Sequence, residues 1–407
     1  MFDTDDLETP NFFPATRNNA LKRMQAFSPQ MGRAYADQRN SDFGPDDRSN
    51  ISCLSPFIAH RLLLESEAVA CALSEHSAHE AEKFTQEVYW RTYFKGWLEL
   101  RPSVWPRYKK AVQGAIDGLT SERKRAYEQA MAGETEIACF NAWAKELVDT
   151  GYLHNHARMW FASIWIFTLR LPWALGADFF YRHLLDGDAA SNTLSWRWVA
   201  GLHTRGKNYV ARASNIRKYT EGRFNPEGQL AVDPAPLDDE WNGKAGGVPV
   251  LEPPEKGKKT ILLLHEDDCG WDSLDLSGLE LVGVAGITVT DDRSPFGASE
   301  LAKQFAIEAV EDALNRADDG LPVSAVKLAS TSSLIDLAQE TGAEQVVYPY
   351  APVGPVQDRL NASKPAWSDA GLTAREILRD YDRAAWPYCN KGFFGLKSKI
   401  PELIRTL

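Results

Sequence analysis

The sequence predicts two domains, an all-α domain followed by an α/β domain with a parallel sheet. The chain has 407 residues, enough for two or three domains, and its 44% hydrophobic and 25% charged residues are typical of a globular protein. Helical periodicity dominates the first half and short apolar runs dominate the last third. The segment 226–258 between them is rich in Pro, Gly and Asp, which disfavour helices and central strands. We therefore predict a helical domain at 1–225, a linker at 226–258 and an α/β domain at 259–407.

The predicted helices of the first domain are segments of good helix formers with apolar residues three or four positions apart. They cover 20–27, 55–75, 78–100, 121–131, 140–150, 155–169 and 177–185. This succession, with no strand signal between the helices, is typical of an all-α domain.

In the second domain the hydrophobic pattern changes to the short apolar runs of buried strands. We expect strands at 260–265, 281–290, 323–328 and 345–350, and helices at 300–317 and 332–341, the latter ended by Gly342. Alternating strands and helices predict a Rossmann-type parallel sheet covered on both faces. The sequence contains neither G-x-G-x-x-G nor G-x-x-x-x-G-K-[ST], so the usual phosphate-binding glycines are missing.

Charge and cysteine content limit the possible partners. Residues 1–230 contain 28 Lys and Arg against 27 Asp and Glu, whereas residues 231–407 contain 17 against 29, so a nucleic-acid site would belong to the first half. The five scattered cysteines include no C-x-x-C pair, which predicts a cytoplasmic protein without a metal cage. The longest apolar run, 159–169, is about half a membrane span, and the N-terminus does not resemble a secretory signal. We expect no membrane association.

Polar residues that could bind a ligand concentrate in the segment 151–198. Asp186, Asp188 and Asn192 lie in a Gly-containing loop that could present acceptors and an amide to one polar ligand. A turn followed by a helix N-cap also explains the same spacing. Two histidines flank Asn155, but no Cys, Asp or Glu accompanies them at ligand spacing, so we assign no metal site.

A second group of candidate residues lies in the segment 84–100. Glu87 and Arg91 are one helical turn apart, beside an aromatic stripe that starts at Trp90. A surface ion pair next to core aromatics fits this pattern equally well. Arg158, from the first group, could pair with a loop carboxylate inside a cleft.

Four separated motifs resemble, in order and spacing, the FAD-binding domain of the photolyase and cryptochrome family. They are SCLSP (52–56), EVYWR (87–91), HNHARM (154–159) and LLDGDAASNTLSWRW (184–198). The resemblance extends over about 13–220. It implies an all-α domain that holds FAD in a central cavity.

The resemblance also implies which residues contact the cofactor. Those expected at the FAD phosphates and ribityl chain are Tyr35, Ser52, Leu54 and Ser55, with Arg91 by the phosphates or at the cavity rim. Those expected around the flavin ring are Asn155, Arg158, Asp186, Asp188 and Asn192. Among these, Arg158 and Asp186 would form an ion pair. Asn192 would face N5, where a neutral amide suits an anionic reduced flavin because it adds no like charge.

The activity implied by the resemblance is blue-light-driven repair of pyrimidine dimers in DNA, by electron transfer from reduced FAD to a dimer flipped into the cavity. Trp90 and Trp198 match the positions that stack on the lesion, and Met159 matches the cavity methionine. Glu87 and Asn155 match the groups that hydrogen-bond the lesion. The pattern favours a cyclobutane dimer, because relatives that act on the (6-4) photoproduct have His at the positions of Asn155 and Met159.

Photoreduction of the flavin in this family uses a chain of tryptophans. Trp196 and Trp173 match its inner and middle members, but no Trp stands at the outer position. Residues that could replace the outer member are Tyr127, Trp143, Trp160 and Trp165, although core packing explains each of them as well.

Some features depart from the family pattern and keep a second function open. His156 replaces a common cavity Arg, and Phe84 replaces a Trp near the FAD. The alternative is a cryptochrome-like blue-light sensor or regulator that binds FAD without repairing DNA. A flavoprotein without photochemistry is a third interpretation.

The order of the two domains is unusual for the family, in which an α/β antenna domain precedes the helical domain. Here the segments 341–352 and 381–396, which resemble parts of that antenna domain, follow it. We therefore predict a circular permutation with its joint in 226–258. An unrelated flavodoxin-like domain is the alternative. The motifs specify no second antenna chromophore, so its presence stays unknown.

Overall fold

The computed structural model describes residues 13–239, 243–328 and 330–406. The predicted domain and linker ranges therefore include positions outside the described residues, namely 1–12, 240–242, 329 and 407. Helices make up the regular structure as far as Tyr219, and parallel strands begin at Lys259. The predicted fold class is confirmed, whereas the exact domain limits stay a prediction.

The helical half contains helices of very different lengths. In chain order they are α1 (Arg17–Phe27), α2 (Arg33–Gln38), α3 (Ser55–Ala59), α4 (Glu65–Glu75), α5 (Glu82–Glu99), α6 (Val104–Asp117), α7 (Ser121–Ala132), α8 (Ala138–Thr150), α9 (Asn155–Ser163), α10 (Trp173–His183), α11 (Ala189–Ala200) and α12 (Ala213–Tyr219). The short helices α2 and α12 and the helices α6 and α11 are missing from the sequence-based prediction. For α6 the reason is composition, because Pro106 and Gly114 lower its helix propensity.

Two predicted long helices are interrupted. The segment 55–75 divides into α3 and α4, because Arg61 adopts a left-handed φ of 49° between them and directs its guanidinium to buried carboxylates. The segment 155–169 begins as α9 but continues as a π-helical turn over Ile164–Thr168. Arg61 lies at a contact between the two halves, so tertiary contacts and not the local helical pattern decide the backbone there.

The second half is a five-stranded parallel sheet in the order β3-β2-β1-β4-β5. The strands are β1 (Lys259–His265), β2 (Glu280–Ile287), β3 (Ala325–Lys327), β4 (Gln345–Pro349) and β5 (Thr373–Ile377). The helices are α13 (Glu300–Gly320), α14 (Ser333–Thr341), α15 (Pro355–Asp369), α16 (Asp380–Ala385), α17 (Phe394–Lys397) and α18 (Ile400–Leu403). The sequence does not predict strand β5, because this strand is a half-buried edge strand without an apolar run. Gly342 ends α14 with a φ of 69°, as predicted.

Alternate residues of β1 pack on opposite faces of the sheet. Leu262 and Leu264 belong to a core that includes Phe305 of α13 and extends into the helical half. Ile261 and Leu263 face a smaller core that α14 and α15 complete. One hydrophobic core is thus shared by both halves of the chain.

Charged residues of the helical half reach the carboxyl ends of β1 and β4, the crevice where sheets with this strand order commonly bind ligands. The hydroxyl of Tyr350 donates to Glu99 of α5 at 2.8 Å, and the N–H of Val353 donates to the same carboxylate at 2.5 Å. Arg61 contacts Asp268 at 3.0 Å and Asp382 at 2.5 Å. Burial raises the pKa of Glu99 to about 7. Buried polar contacts therefore join the two halves directly.

The face of α5 that carries Gly96 is covered by the C-terminal segment. A Cβ added at Gly96 would lie 2.6 Å from Cδ1 of Trp386 and 2.8 Å from Sγ of Cys389, so only glycine allows this approach. As a result, α5 is held between the helical core and the end of the chain. Among the described ranges, none of the helices combines the length and apolar character required to cross a membrane.

Candidate functional site

A cavity of about 450 Å³ opens in the helical half. Its walls come from α5, α9 and α11, from the loop before α11, and from the segment 51–58. The walls combine aromatic rings with several charged side chains. Such a mixture can bind a ligand that has both flat rings and polar groups.

The first turn of α9 fixes a charged pair in the cavity wall. His154 caps the helix, because its Nδ1 accepts a hydrogen bond from the N–H of His156 at 3.1 Å. One turn later, Arg158 donates to both carboxylate oxygens of Asp186 at 3.0 Å each, and its Nε donates to the carbonyl of Leu153 at 2.8 Å. Burial alone would raise the pKa of Asp186, but the nearby charges of Arg158 and Arg91 hold it below its usual range. Asp186 is therefore ionised at neutral pH.

The loop before α11 brings its carboxylates to the same wall. Asp188 caps α11, since its side chain accepts a hydrogen bond from the N–H of Ser191 at 2.8 Å. The N-cap interpretation of this loop is thus correct, and it does not exclude ligand binding. Arg91 contacts Asp188 at 3.2 Å and approaches Asp186 to 4.0 Å, so one guanidinium from α5 links both carboxylates.

Asn192 lies one turn into α11 and is 7% exposed. Its Nδ2 donates to the carbonyl of Ala177 at 2.8 Å. Among the described residues, none donates a hydrogen bond to its Oδ1. The amide is therefore held by the protein at one end and keeps an acceptor for a ligand at the other.

The opposite wall belongs to α5. Glu87 lies 3.5 Å from Arg39, and burial raises the pKa of Glu87 in spite of this cation. Trp90, one turn away, is surrounded by aromatic rings of Tyr93, Phe94 and Phe393. A carboxyl group and a large flat surface thus stand side by side at the cavity.

The structure brings nearly all predicted site residues together. Those that line the cavity are Tyr35, Ser52, Leu54, Ser55, Glu87, Trp90, Arg91, Asn155, Arg158, Met159, Asp186, Asp188, Asn192, Trp196 and Trp198. The predicted ion pair between Arg158 and Asp186 is present. Their roles toward a cofactor or a lesion stay predictions.

Trp173 does not line the cavity. It begins α10, and its ring lies 6.0 Å from that of Tyr108. Trp196 contacts Trp165 edge-on with ring centroids 6.2 Å apart, and Trp165 in turn lies 5.9 Å from Tyr127. A second line of aromatic rings therefore leads away from Trp196 besides the predicted one.

Several cavity residues have no role in the sequence-based prediction. They include Arg39, Asn40, Cys53 and Tyr152. Helical spacing could have indicated Arg39, which lies one turn after Tyr35. Cys53 carries a left-handed φ of 50°, a backbone feature that the sequence does not reveal.

The two histidines beside Asn155 make contacts within the cavity wall. Burial lowers the pKa of His154 to about 4, so the ring is neutral at pH 7. His156 stacks on Trp160 with centroids 4.3 Å apart, and its Nδ1 lies 2.9 Å from the carbonyl of Asn40. Within the described residues, no group of three or more His, Cys, Asp or Glu could hold a metal ion.

The cavity has the chemistry that FAD requires. FAD presents a flat ring system, an adenine, hydroxyl groups and a pyrophosphate. In the described part of the chain, Nε2 of His154 and Oγ of Ser191 are buried without hydrogen-bond partners, although both residues line the cavity. Buried polar atoms are nearly always satisfied in folded proteins, so these two indicate a polar ligand or water in the cavity. Together with the acceptor of Asn192, they fit a flavin dinucleotide.

Comparison with known proteins supports this assignment. Residues 84–232 match the family model of the FAD binding domain of DNA photolyase. The helical half is thus similar to the FAD-binding domain of the photolyase and cryptochrome family. It therefore contains a photolyase-type FAD-binding domain, and the predicted cofactor is confirmed at this level.

Individual photolyases and cryptochromes are distant from this chain. A deoxyribodipyrimidine photo-lyase of Thermus thermophilus is 30% identical over 254 residues, which cover 61% of this chain and 56% of the relative. A cryptochrome DASH of Idiomarina loihiensis is 28% identical over 256 residues, 60% of this chain and 52% of the relative. A class III photolyase structure from Agrobacterium tumefaciens has a TM-score of 0.43 at 23% identity, over 51% of this chain and 43% of that one. The chain thus spans about half the length of the curated relatives it matches.

Proposed function

We propose that this protein uses FAD and blue light to repair cyclobutane pyrimidine dimers in DNA. One observation carries the proposal, namely that the five residues expected to hold the lesion line the same cavity as the Arg158–Asp186 pair. These five are Glu87, Trp90, Asn155, Met159 and Trp198. Several relatives are named deoxyribodipyrimidine photo-lyases, which supports the same activity.

The polar residues of the cavity would orient the cofactor. When bound in its reduced form, FAD supplies the electron that splits the dimer. Arg158 and Asp186 would hold the ring edge through an already formed ion pair, at little cost in reorganisation. Asn192 would offer its Oδ1 to N5, while its Nδ2 stays bonded to Ala177. Ser52, Ser55 and Arg91 would bind the phosphates and hydroxyl groups.

The α5 wall would bind the lesion. A flipped dimer presents two base faces and several carbonyl and imide groups. Trp90 and Trp198 supply flat apolar surfaces, and Trp198 is steadied by Tyr209, whose ring lies 5.5 Å away. Glu87, with its raised pKa, and Asn155 supply the hydrogen-bonding groups.

Duplex DNA would approach next to α12. This helix lies next to the cavity, because the ring of Tyr219 at its end is 5.2 Å from the ring of the cavity residue His156. Arg217 and Lys218 of α12 are exposed, so they can contact phosphates. By contrast, Lys109 is bound to Asp358 at 2.7 Å and therefore contributes less to DNA binding.

A photorepair assay tests the proposal. The FAD-loaded, reduced protein is mixed with an oligonucleotide containing one thymine dimer and illuminated with blue light. We expect restored thymine absorbance that depends on light, and a yield at least several-fold lower for Glu87→Ala with FAD still bound. Flavin photoreduction without any repair would support the sensor function instead, and absence of both would reject photochemistry altogether.

A further inference from the structure

We propose that Phe393, near the end of the chain, is the positioning residue for Trp90. This inference rests on the proposed function, because it assigns part of the lesion-binding wall to the second half of the protein. The two rings are stacked with centroids 3.8 Å apart and an interplanar angle of 11°. Phe393 is 6% exposed, although its neighbour Phe394 is 81% exposed.

Of the two stacked rings, only that of Trp90 lines the cavity. A parallel stack covers one face of an indole, so the base of a lesion can use the other face. Phe393 thus stands where it can fix the plane of the Trp90 ring without competing for the substrate.

The backbone around Phe393 is tied to α5 and to the segment after it. The hydroxyl of Tyr93 donates to the carbonyl of Lys391 at 2.9 Å, and the ring of Tyr93 meets that of Phe393 edge-on at 5.7 Å. Arg101 donates to the carbonyl of Asn390 at 2.7 Å. The same segment also contacts α5 at Gly96, through Trp386 and Cys389, which precede Phe393 in the chain. Phe393 is therefore held from several sides before any ligand binds.

A fixed indole binds a base more tightly than a mobile one. A free tryptophan side chain loses rotamer freedom when it stacks on a ligand, whereas a ring already held by its neighbours does not. Stacked aromatic pairs contribute enough to change an equilibrium by about two- to ten-fold. We therefore expect removal of the Phe393 ring to weaken lesion binding within that range while FAD stays bound.

The test compares two adjacent phenylalanines. Phe393→Ala and Phe394→Ala are purified with FAD, and their dissociation constants for a dimer-containing and an undamaged oligonucleotide are measured. We expect weaker binding of the dimer by about two- to ten-fold for Phe393→Ala, no change for Phe394→Ala, and recovery with Phe393→Tyr. Equal affinities of Phe393→Ala and Phe394→Ala for the dimer would overturn the proposal.

A double-mutant cycle separates positioning from general destabilisation. In a Trp90→Ala background, Phe393→Ala should cause no further loss, because the ring that it positions is gone. A loss of the same size in both backgrounds would show that Phe393 acts through the fold and would contradict the proposal.

A spectroscopic measurement keeps this inference distinct from the proposed function. The protein is labelled with 5-fluorotryptophan, and the ¹⁹F resonance of Trp90 is assigned with Trp90→Phe. Phe393→Ala should shift and broaden that resonance, and an unchanged resonance would overturn the proposed contact. If the wild type shows the stacked signal yet binds dimer and undamaged DNA equally, the proposed function fails, and the role of this pair in lesion binding fails with it.

Discussion

The guanidinium of Arg158 and the carboxylate of Asp186 meet through two hydrogen bonds, each 3.0 Å long. The pair joins the first turn of α9 to the loop before α11, so it connects two elements of the polar cavity wall. Asp186 is buried, whereas the side chain of Arg158 is 22% exposed where it lines the cavity.

We expect Asp186→Asn to leave Arg158 without its partner and to reduce FAD retention. Loss of one member of a buried ion pair typically costs on the order of 3 kcal/mol. Flavin occupancy after gel filtration measures the effect. The matched control is Glu67→Gln, which breaks the Arg17–Glu67 pair outside the cavity and should leave occupancy unchanged. Full occupancy in Asp186→Asn would remove this pair from the cofactor site.

Asn192→Asp should lower the reduction potential of the bound flavin. A carboxylate near N5 repels the negative charge of an anionic reduced ring, whereas the amide does not. Spectroelectrochemical titration measures the potential. Asn208→Asp is the control, because Asn208 also donates its amide to a carbonyl, that of Pro234, but does not line the cavity. Equal potentials in wild type and Asn192→Asp would place this residue away from N5.

Light-driven reduction of the flavin should slow in Trp196→Phe, because Trp196 is the predicted inner member of the electron-transfer chain. Variants of the second aromatic residue distinguish two possible electron-transfer routes away from Trp196. If Trp165 and Tyr127 carry the electron, Trp165→Phe slows photoreduction more than Trp173→Phe. The reverse order would confirm the line through Trp173. Time-resolved absorption in the presence of a thiol reductant measures both rates.

Glu99 should make the stability of the protein depend on pH. Its pKa is raised from 4.5 to about 7 in the folded state, mainly by burial. The native state therefore binds more protons than the unfolded state between these values, so this contribution is complete below about pH 4.5 and is lost as the pH rises through about 7. The loss amounts to ~3 kcal/mol at 1.36 kcal/mol per pKa unit.

The variant Glu99→Gln isolates this contribution. It should be less sensitive to pH than the wild type between pH 5 and pH 8 in urea unfolding, because the amide does not titrate. Parallel stability profiles for the two proteins would show that Glu99 ionises normally in the folded state.

Much of the cavity could be predicted from sequence because its residues lie in short motifs. Asp186, Asp188 and Asn192 are neighbours along the chain, and Glu87, Trp90 and Arg91 share one helix. In both cases local spacing fixes their relative position. The apolar runs of β1, β2 and β4 likewise reveal the buried strands of the sheet.

Contacts between distant segments could not be predicted in this way. Nothing in the spacing of α5 indicates that Glu99 reaches Tyr350 or that Trp90 stacks on Phe393. The break at Arg61 has the same origin, since its left-handed backbone is stabilised by carboxylates far away in sequence. Such features depend on the tertiary structure, which overrides local propensity.

The glycine at position 96 has a practical consequence for dissection of this protein. Because Trp386 and Cys389 press directly on its Cα, a truncated polypeptide ending near residue 225 would leave a bare groove along α5, lined by apolar side chains. Such a fragment should aggregate when it is expressed by itself. Co-expression with the remaining C-terminal segment should restore its solubility, as in a split-protein complementation experiment.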